Sequence, residues 1–248
     1  MLTDAELERY ARHIVLKEVG GTGQLALSRA SVAMVGAGGL GSPALQYLAA
    51  AGVGRITIID DDRVSLSNLQ RQTLFGTADL GARKADIAAV RLADLNPHVA
   101  VSAVARRLTP ESAEAMLRGH DVIADGSDSF ATRAAVNRAA VALRIPLVSA
   151  AIGPFEGQVG IFAGHRADAP CWACFAGTAS DRPGASCADT GVLGAVAGSV
   201  GALLALEVIR LITGFGTGRV GQLWLWDALT MRSRDVRVPK DPACPVCS

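Results

Sequence analysis

The sequence carries almost no net charge. Its 248 residues hold 24 Lys and Arg against 23 Asp and Glu, a formal balance of +1. A chain that works on a polyanion needs a surplus of cations, so binding to nucleic acid or an anionic membrane is not expected. No basic patch, internal repeat or disordered linker is visible. The first residues, MLTDAELERYARHIVL, lack the apolar centre and small-residue cleavage site of a secretory leader, which points to the cytoplasm. The longest apolar run, GVLGAVAGSVGALLAL at 191–206, is short for a membrane span and is followed by Glu207 and Arg210. No membrane span is expected. The many Gly and Ala residues suit a helix packed closely on another backbone, in the core or between two copies of the chain. Cysteine is scarce, with five residues, Cys171, Cys174, Cys187, Cys244 and Cys247. In a cytoplasmic chain that excludes a disulfide framework and favours a metal site plus one further thiol.

What is present is apolar. Such residues make up 50% of the chain, enough for the core of one large domain over residues 1–248. Strand-like and helix-like segments alternate. Residues 3–19 read as a helix, with Thr3 as N-cap and Glu6 closing a capping box. Strands are predicted at 31–35, 55–59, 99–104, 121–125 and 147–151, and helices at 39–51, 81–95, 110–117 and 130–143. This alternation is the pattern of a doubly wound, mostly parallel sheet. It then breaks. Residues 157–163 read as a strand, 166–189 as a loop, 191–213 as a helix, and 222–227 and 232–238 as strands. The architecture is therefore α/β with a β-rich C-terminal extension on the same core.

The stretch VAMVGAGGLGS joins the first strand to the next helix and contains Gly36, Gly38 and Gly41 as G-x-G-x-x-G. Gly36 permits the turn, Gly38 lets backbone approach a phosphate, and Gly41 lets the helix pack on the strand. Asp60 follows Gly41 by nineteen residues, at the end of the next strand, where an acid can bind a ribose. NAD, FAD and ATP all offer ribose and phosphate, so the loop alone leaves the ligand open. The polar stretch Ser67-Asn68-Leu69-Gln70-Arg71-Gln72 and Lys84 add cations, which attack at an α-phosphate requires and a dehydrogenase does not. Singly, Arg71 and Lys84 read as solvated surface charges. Asp128, in Asp125-Gly126-Ser127-Asp128, lies past a strand end. It can hold Mg²⁺ or cap the next helix.

Cys171-x-x-Cys174 and Cys244-x-x-Cys247 supply the four thiolates of a tetrahedral Zn²⁺ site, provided that the fold returns the chain's end to its middle. Two separate redox pairs are the alternative. Cys187, in PGASCADTG ahead of the long helix, suits a nucleophile activated by a helix N-terminus, or an incidental thiol.

Together and in this order, from Glu8-Arg9-Tyr10-Ala11-Arg12 to Cys247, these motifs resemble the ThiF/MoeB/HesA adenylyltransferases, bacterial relatives of the ubiquitin-activating enzymes. The resemblance is strongest to MoeB-type members, without a rhodanese domain. It implies a Rossmann-like adenylating domain acting as a homodimer, with a nucleotide-binding core at about 28–152 and a zinc and carrier-binding part at about 153–248. It implies ATP, Mg²⁺ and Zn²⁺ as ligands. The substrate would be a small ubiquitin-like sulfur carrier, MoaD-like or ThiS-like, whose C-terminal Gly-Gly carboxylate becomes an acyl-adenylate. Sulfur from a donor protein would then give a thiocarboxylate for molybdopterin or thiamine synthesis. Carried over by position, Gly39, Asp60, Asp62, Ser67, Asn68, Leu69, Gln70 and Ser129 line the nucleotide, Arg71 and Lys84 neutralise phosphate, and Asp128 binds Mg²⁺. Arg12 would reach into the partner subunit's site, and Cys187 matches a thiol that links to the carrier in some members. His13 and Ser129 depart from the usual Gln and Asn. The competing readings are an NAD-dependent oxidoreductase, an inactive partner subunit, and a relative that activates a different carboxyl substrate.

Overall fold

Eight strands form one sheet in the computed structural model, which describes residues 1–177 and 191–248. They are β1 Ser31–Val35, β2 Arg55–Ile59, β3 Ala100–Val104, β4 Val122–Asp125, β5 Leu147–Ile152, β6 Glu156–Phe162, β7 Gln222–Asp227 and β8 Arg232–Arg237. Their order is β3-β2-β1-β4-β5-β6-β7-β8. The first five run parallel, and β6, β7 and β8 are added antiparallel. Side-chain character follows position. Every residue of β1, SVAMV, is buried, as suits a central parallel strand covered on both faces. Every residue of β8, RSRDVR, is exposed, and its charges suit an open edge. The C-terminal strands are thus a continuation of the parallel sheet rather than a layer upon it.

Strand alternation feeds two cores. Val32, Met34, Ile56 and Ile58 face α3 Gly20–Arg29, α4 Gly41–Ala50, α5 Lys84–Leu95 and α9 Gly194–Thr213. Ala33, Val35, Ile59 and Ile123 face α6 Ala113–Leu117, α7 Phe130–Leu143 and α8 Trp172–Ala176. The long apolar run is α9. By length and composition it could cross a membrane, but its buried stripe, Val196, Val200, Leu204 and Val208, packs into the first core. It lies close to its neighbours because of glycine. A Cβ on Gly201 would sit 2.4 Å from both the Leu40 carbonyl oxygen and Pro43 Cγ. Gly201→Ala should therefore push α9 off α4 and cost about 1–3 kcal/mol, read as a lower midpoint in chemical denaturation. An unchanged midpoint would mean that the contact has slack.

The N-terminal helix differs from its sequence reading. The capping box forms, with the Thr3 amide donating to Glu6 Oε2 at 2.8 Å and the Glu6 amide to Thr3 Oγ1 at 3.3 Å. The helix then breaks into α1 Asp4–Arg9 and α2 Ala11–Ile14 at Tyr10. Tyr10 is buried, its hydroxyl accepts from Asn96 Nδ2 at 2.8 Å, and its ring fills the space where Gly52 has no side chain. Docking this one ring outweighs helix continuity. The helix α3 was not legible because its opening, GGTG, is glycine-rich. The short helix α8 stands where only loop was expected.

Candidate active site

The strand order reverses between β1 and β4. In open α/β sheets the crevice outside the carboxyl ends of such strands takes the ligand. Here it is a cleft of about 1180 Å³. Gly36, Gly38 and Gly39 form one wall. Gly36 has φ +87° and lies against the backbone of Gly126. A Cβ on Gly41 would fall 2.0 Å from the Gly36 carbonyl oxygen, so only glycine lets α4 start so close to the loop. Beside Gly38 the nearest atom to such a Cβ is Gln72 Nε2 at 3.6 Å, which leaves backbone open to the cleft. The α4 N-terminus has no side-chain cap.

Asp60 closes β2 and lines the cleft, but it also shapes the loop. Its Oδ2 accepts from the Ala37 amide at 2.7 Å and its Oδ1 from the Asp62 amide at 2.8 Å. Burial pushes its carboxyl up from the ordinary value, while the Ala37 amide and the Lys84 charge pull it back. Lys84 departs most from its local reading. It is 2% exposed, and its Nζ pairs with Asp62 Oδ2 at 2.8 Å, whereas Asp62 itself is open to solvent. The chain reaches this arrangement because the Lys84 amide donates to the Asp62 carbonyl, which carries α5's first residue into the cleft. Arg71 lays its aliphatic stem on Gly39 and donates from Nη1 to the Ser67 carbonyl at 3.1 Å.

The turn after β4 settles one open question. The cap of α7 is Ser129, whose Oγ accepts from the Thr132 amide at 3.3 Å. Asp128 is therefore not the cap, and its exposed side chain lines the cleft. A carboxylate there, in the same cleft as the glycine loop, fits Mg²⁺, which takes one or two carboxylates together with substrate phosphates.

The cleft gathers Gly36, Gly38, Gly39, Asp60, Asp62, Asn68, Arg71, Lys84, Asp128 and Ser129. It does not gather the whole polar stretch. Leu69 packs on the first core, Gln70 bonds the Val192 carbonyl, and Ser67 contributes its carbonyl to Arg71. Arg12 is not among the lining residues. It sits on α2, which packs on α3 next to Tyr10, where Tyr10 and Gln24 contact the C-terminal ends of α4 and α5. Cys187 lies outside the described residues. Gln72, the last residue of the polar stretch, also lines the cleft, and sequence reading missed Arg106, Arg107, Arg133, Arg232 and Arg234, which line it too. Arg106 and Arg107 follow the carboxyl end of β3, a signal that could have found them. Arg232 and Arg234 are on β8, whose place beside the cleft depends on the strand order.

The two cysteine pairs meet. Cys171, Cys174, Cys244 and Cys247 bring their sulfurs within 4.8 Å of one another. Three of the separations are 3.6, 4.0 and 3.5 Å. Tetrahedral zinc with bonds of about 2.3 Å requires sulfur separations of about 3.8 Å. A disulfide needs about 2.05 Å, so these are four free thiols, and their meeting in one cluster fits zinc. Surrounding groups support the sulfurs. Asn137 Nδ2 donates to Cys171 Sγ and the Asp241 amide to Cys174 Sγ, each at 3.5 Å. Gly164 leaves room, since a Cβ there would be 2.5 Å from Cys171 Cβ. The site joins α8 to the chain's last residues.

Residues 10–246 match the model of the ThiF family. The chain is 48% identical to a sulfur carrier protein adenylyltransferase of Thermus thermophilus, covering 99% of this chain and 92% of the relative. It is 43% identical to the SAMP-activating enzyme E1 of Haloferax volcanii, over 99% and 90%. It is 38% identical to the molybdopterin-synthase adenylyltransferase of Escherichia coli, over 99% and 98%. The crystal structure of E. coli MccB with ATP superposes with a TM-score of 0.84 at 23% identity, over 96% of this chain and 74% of that one, a likeness of fold.

Proposed function

This chain belongs to the ThiF family, and from that premise we propose that it adenylates the C-terminal carboxylate of a small, Gly-Gly-ending, ubiquitin-like sulfur carrier protein. The observation that carries this reading is the cleft itself. A glycine loop at a helix N-terminus, a buried Lys84, Arg71 and an exposed Asp128 converge there. A dinucleotide needs the loop and Asp60, but not two cations and a second carboxylate.

In this reading Asp60 accepts from the ribose with the lone pairs left by Ala37 and Asp62, and the α4 N-terminus faces the phosphates. The carrier's terminal carboxylate attacks the α-phosphate. A bond forms from its oxygen to phosphorus, the bond to the bridging oxygen breaks, and pyrophosphate leaves with the electron pair. The product is an acyl-adenylate, in which AMP replaces oxide as leaving group. Mg²⁺ at Asp128 would supply charge neutralisation to the phosphates, and Arg71 and Lys84 would share that task. The cleft runs on past the loop to Gln158, Leu225, Arg232 and Arg234, which leaves a track for an extended chain end beside the nucleotide. Sulfide-level sulfur delivered by a donor protein then bonds to the acyl carbon, the bond to the phosphate oxygen breaks and AMP leaves with the electron pair, which gives a thiocarboxylate for molybdopterin or thiamine synthesis. Cys187 is proposed as the thiol of that stage. Zinc on the four clustered cysteines has a structural role, since none of them lines the cleft.

The active form in this reading is a homodimer. Exposed apolar side chains that a partner copy could cover include Val15 and Leu16 after α2, Tyr47 on α4 and Leu206 on α9. Arg12, outside its own cleft, would serve the partner's. ATP–pyrophosphate exchange with Mg²⁺ and a panel of Gly-Gly-ended carriers tests the function. Exchange that depends on one carrier supports the reading and names the pathway. ATP binding without exchange moves the substrate to another carboxyl. In the same assay Lys84→Met should lose about 10²-fold, with a modest fall in melting temperature, because Asp62 is solvated but the buried Asp60 loses a nearby cation. Wild-type exchange in that variant would remove Lys84 from phosphate neutralisation.

A further inference from the structure

Two buried charged groups stand beside the cleft with no part in the chemistry above. Asp125 ends β4 and is 0% exposed, and Arg133 on α7 is 8% exposed. Buried charges are costly unless geometry uses them fully. Asp125 Oδ1 accepts from the Ser127 amide at 2.9 Å, and Ser149 Oγ lies 3.5 Å from its Oδ2. Arg133 donates from Nε to the Ser127 carbonyl at 3.1 Å, and from Nη2 to the same carbonyl and to the Ala150 carbonyl on β5 at 3.2 Å. Residue 127 is thus held from both sides, its amide by an acid and its carbonyl by a cation. The next residue is Asp128. On the far side Ser129 is fastened to α7 as its cap. Beneath the turn, Gly126 lies against Leu40 and Met34, and Gly36 of the phosphate loop rests on the Gly126 backbone. Among residues 126–129 Asp128 is the most exposed.

We propose that Arg133 and Asp125 are positioning residues that fix the 126–129 turn, so that Asp128 presents its carboxylate to a divalent cation carried by the nucleotide's phosphates. The proposal rests on the adenylation reading in so far as it takes Asp128 as the cation's ligand. It separates two quantities. Affinity for the nucleotide without the cation belongs to the glycine loop, Asp60, Arg71 and Lys84, whereas Arg133, at the cleft wall, spends its donors on the Ser127 and Ala150 carbonyls. The gain in affinity that Mg²⁺ brings belongs to Asp128, and through it to Arg133 and Asp125. Arg133→Lys keeps the positive charge near Asp125 but cannot donate twice to Ser127 while also reaching Ala150. Asp125→Asn keeps the shape and an acceptor for the Ser127 amide, and removes the charge that Arg133 faces.

The test is calorimetric titration of ATP into the full-length wild type, Arg133→Lys and Asp125→Asn, in EDTA and again in Mg²⁺, with a melting curve for each. The expected result is unchanged affinity in EDTA and loss of most of the Mg²⁺ gain, about tenfold, in either variant. Asp128→Ala combined with Arg133→Lys should lose no more of the gain than Asp128→Ala alone, because both act through one carboxylate. Equal weakening in EDTA and Mg²⁺ would mean that Arg133 meets the nucleotide directly, and would overturn the proposal. So would a wild-type Mg²⁺ gain in both variants. If Arg133→Lys does not fold, Asp125→Asn is read in its place. If neither keeps the wild-type melting profile, the pair is structural and the proposal falls. No Mg²⁺ gain in the wild type refutes this proposal and the adenylation reading together. A normal gain without carrier-dependent exchange refutes the adenylation reading alone.

Discussion

Asp128→Ala should abolish carrier-dependent ATP–pyrophosphate exchange, with a loss of about 10³-fold or more, and leave the melting temperature within a degree or two of wild type. The size follows from chemistry. Attack of one anion on another crowds charge at the α-phosphate, and a cation held by Asp128 would be the strongest single source of relief. The harmlessness to folding follows from geometry. Asp128 is exposed, Ser129 caps α7, and Asp125 and Arg133 hold the turn without its help. Among the described residues, losing the carboxylate therefore removes no hydrogen bond or ion pair. Exchange at the wild-type rate would take Asp128 out of the reaction, and a collapse in melting temperature would show a structural role.

Cys171→Ser should act the other way, with a large loss of stability and a smaller loss of intrinsic chemistry. Cys171 is fully buried and meets Cys244 Sγ at 3.6 Å, and with the Cys174–Cys247 contact at 3.5 Å it ties α8 to residues 244–247. Structural zinc sites release about 10–16 kcal/mol in isolated peptides, an upper bound for a domain with its own core. A loss of even about 3–4 kcal/mol would lower the melting temperature by roughly 10 °C in a chain of this size. Chelation should produce a similar fall in the wild type and little in the variant. Catalysis should suffer less, because the sulfurs stand apart from the cleft. An unchanged melting temperature with full activity would argue against structural zinc.

The parts of the molecule that sequence revealed are those encoded by local spacing. The bounds of Ser31–Val35, Arg55–Ile59, Phe130–Leu143 and Gln222–Asp227 are readable from apolar periodicity between turn residues. The glycine loop and the C-x-x-C pairs are short motifs whose chemistry requires their spacing. The parts that were not readable depend on contacts between distant residues. The break at Tyr10 comes from Gly52 and Asn96. Lys84 read as a surface cation, because nothing near it in sequence tells that Asp62 returns to it across a loop.

The sequence by itself determined the α/β class, the glycine loop followed by Asp60, and two C-x-x-C pairs that offer four sulfurs to a metal. Each is a statement about neighbours along the chain, where backbone periodicity and side-chain chemistry act directly. Only the tertiary structure decided that the cysteine pairs meet, that Ser129 rather than Asp128 caps α7, and that Arg232 and Arg234 border the cleft. It alone placed the buried Asp125 and Arg133 on either side of Ser127. These depend on strand order and on which backbones come close enough to need glycine. Many sequences with the same local pattern leave both open, and burial of the two cores selects one.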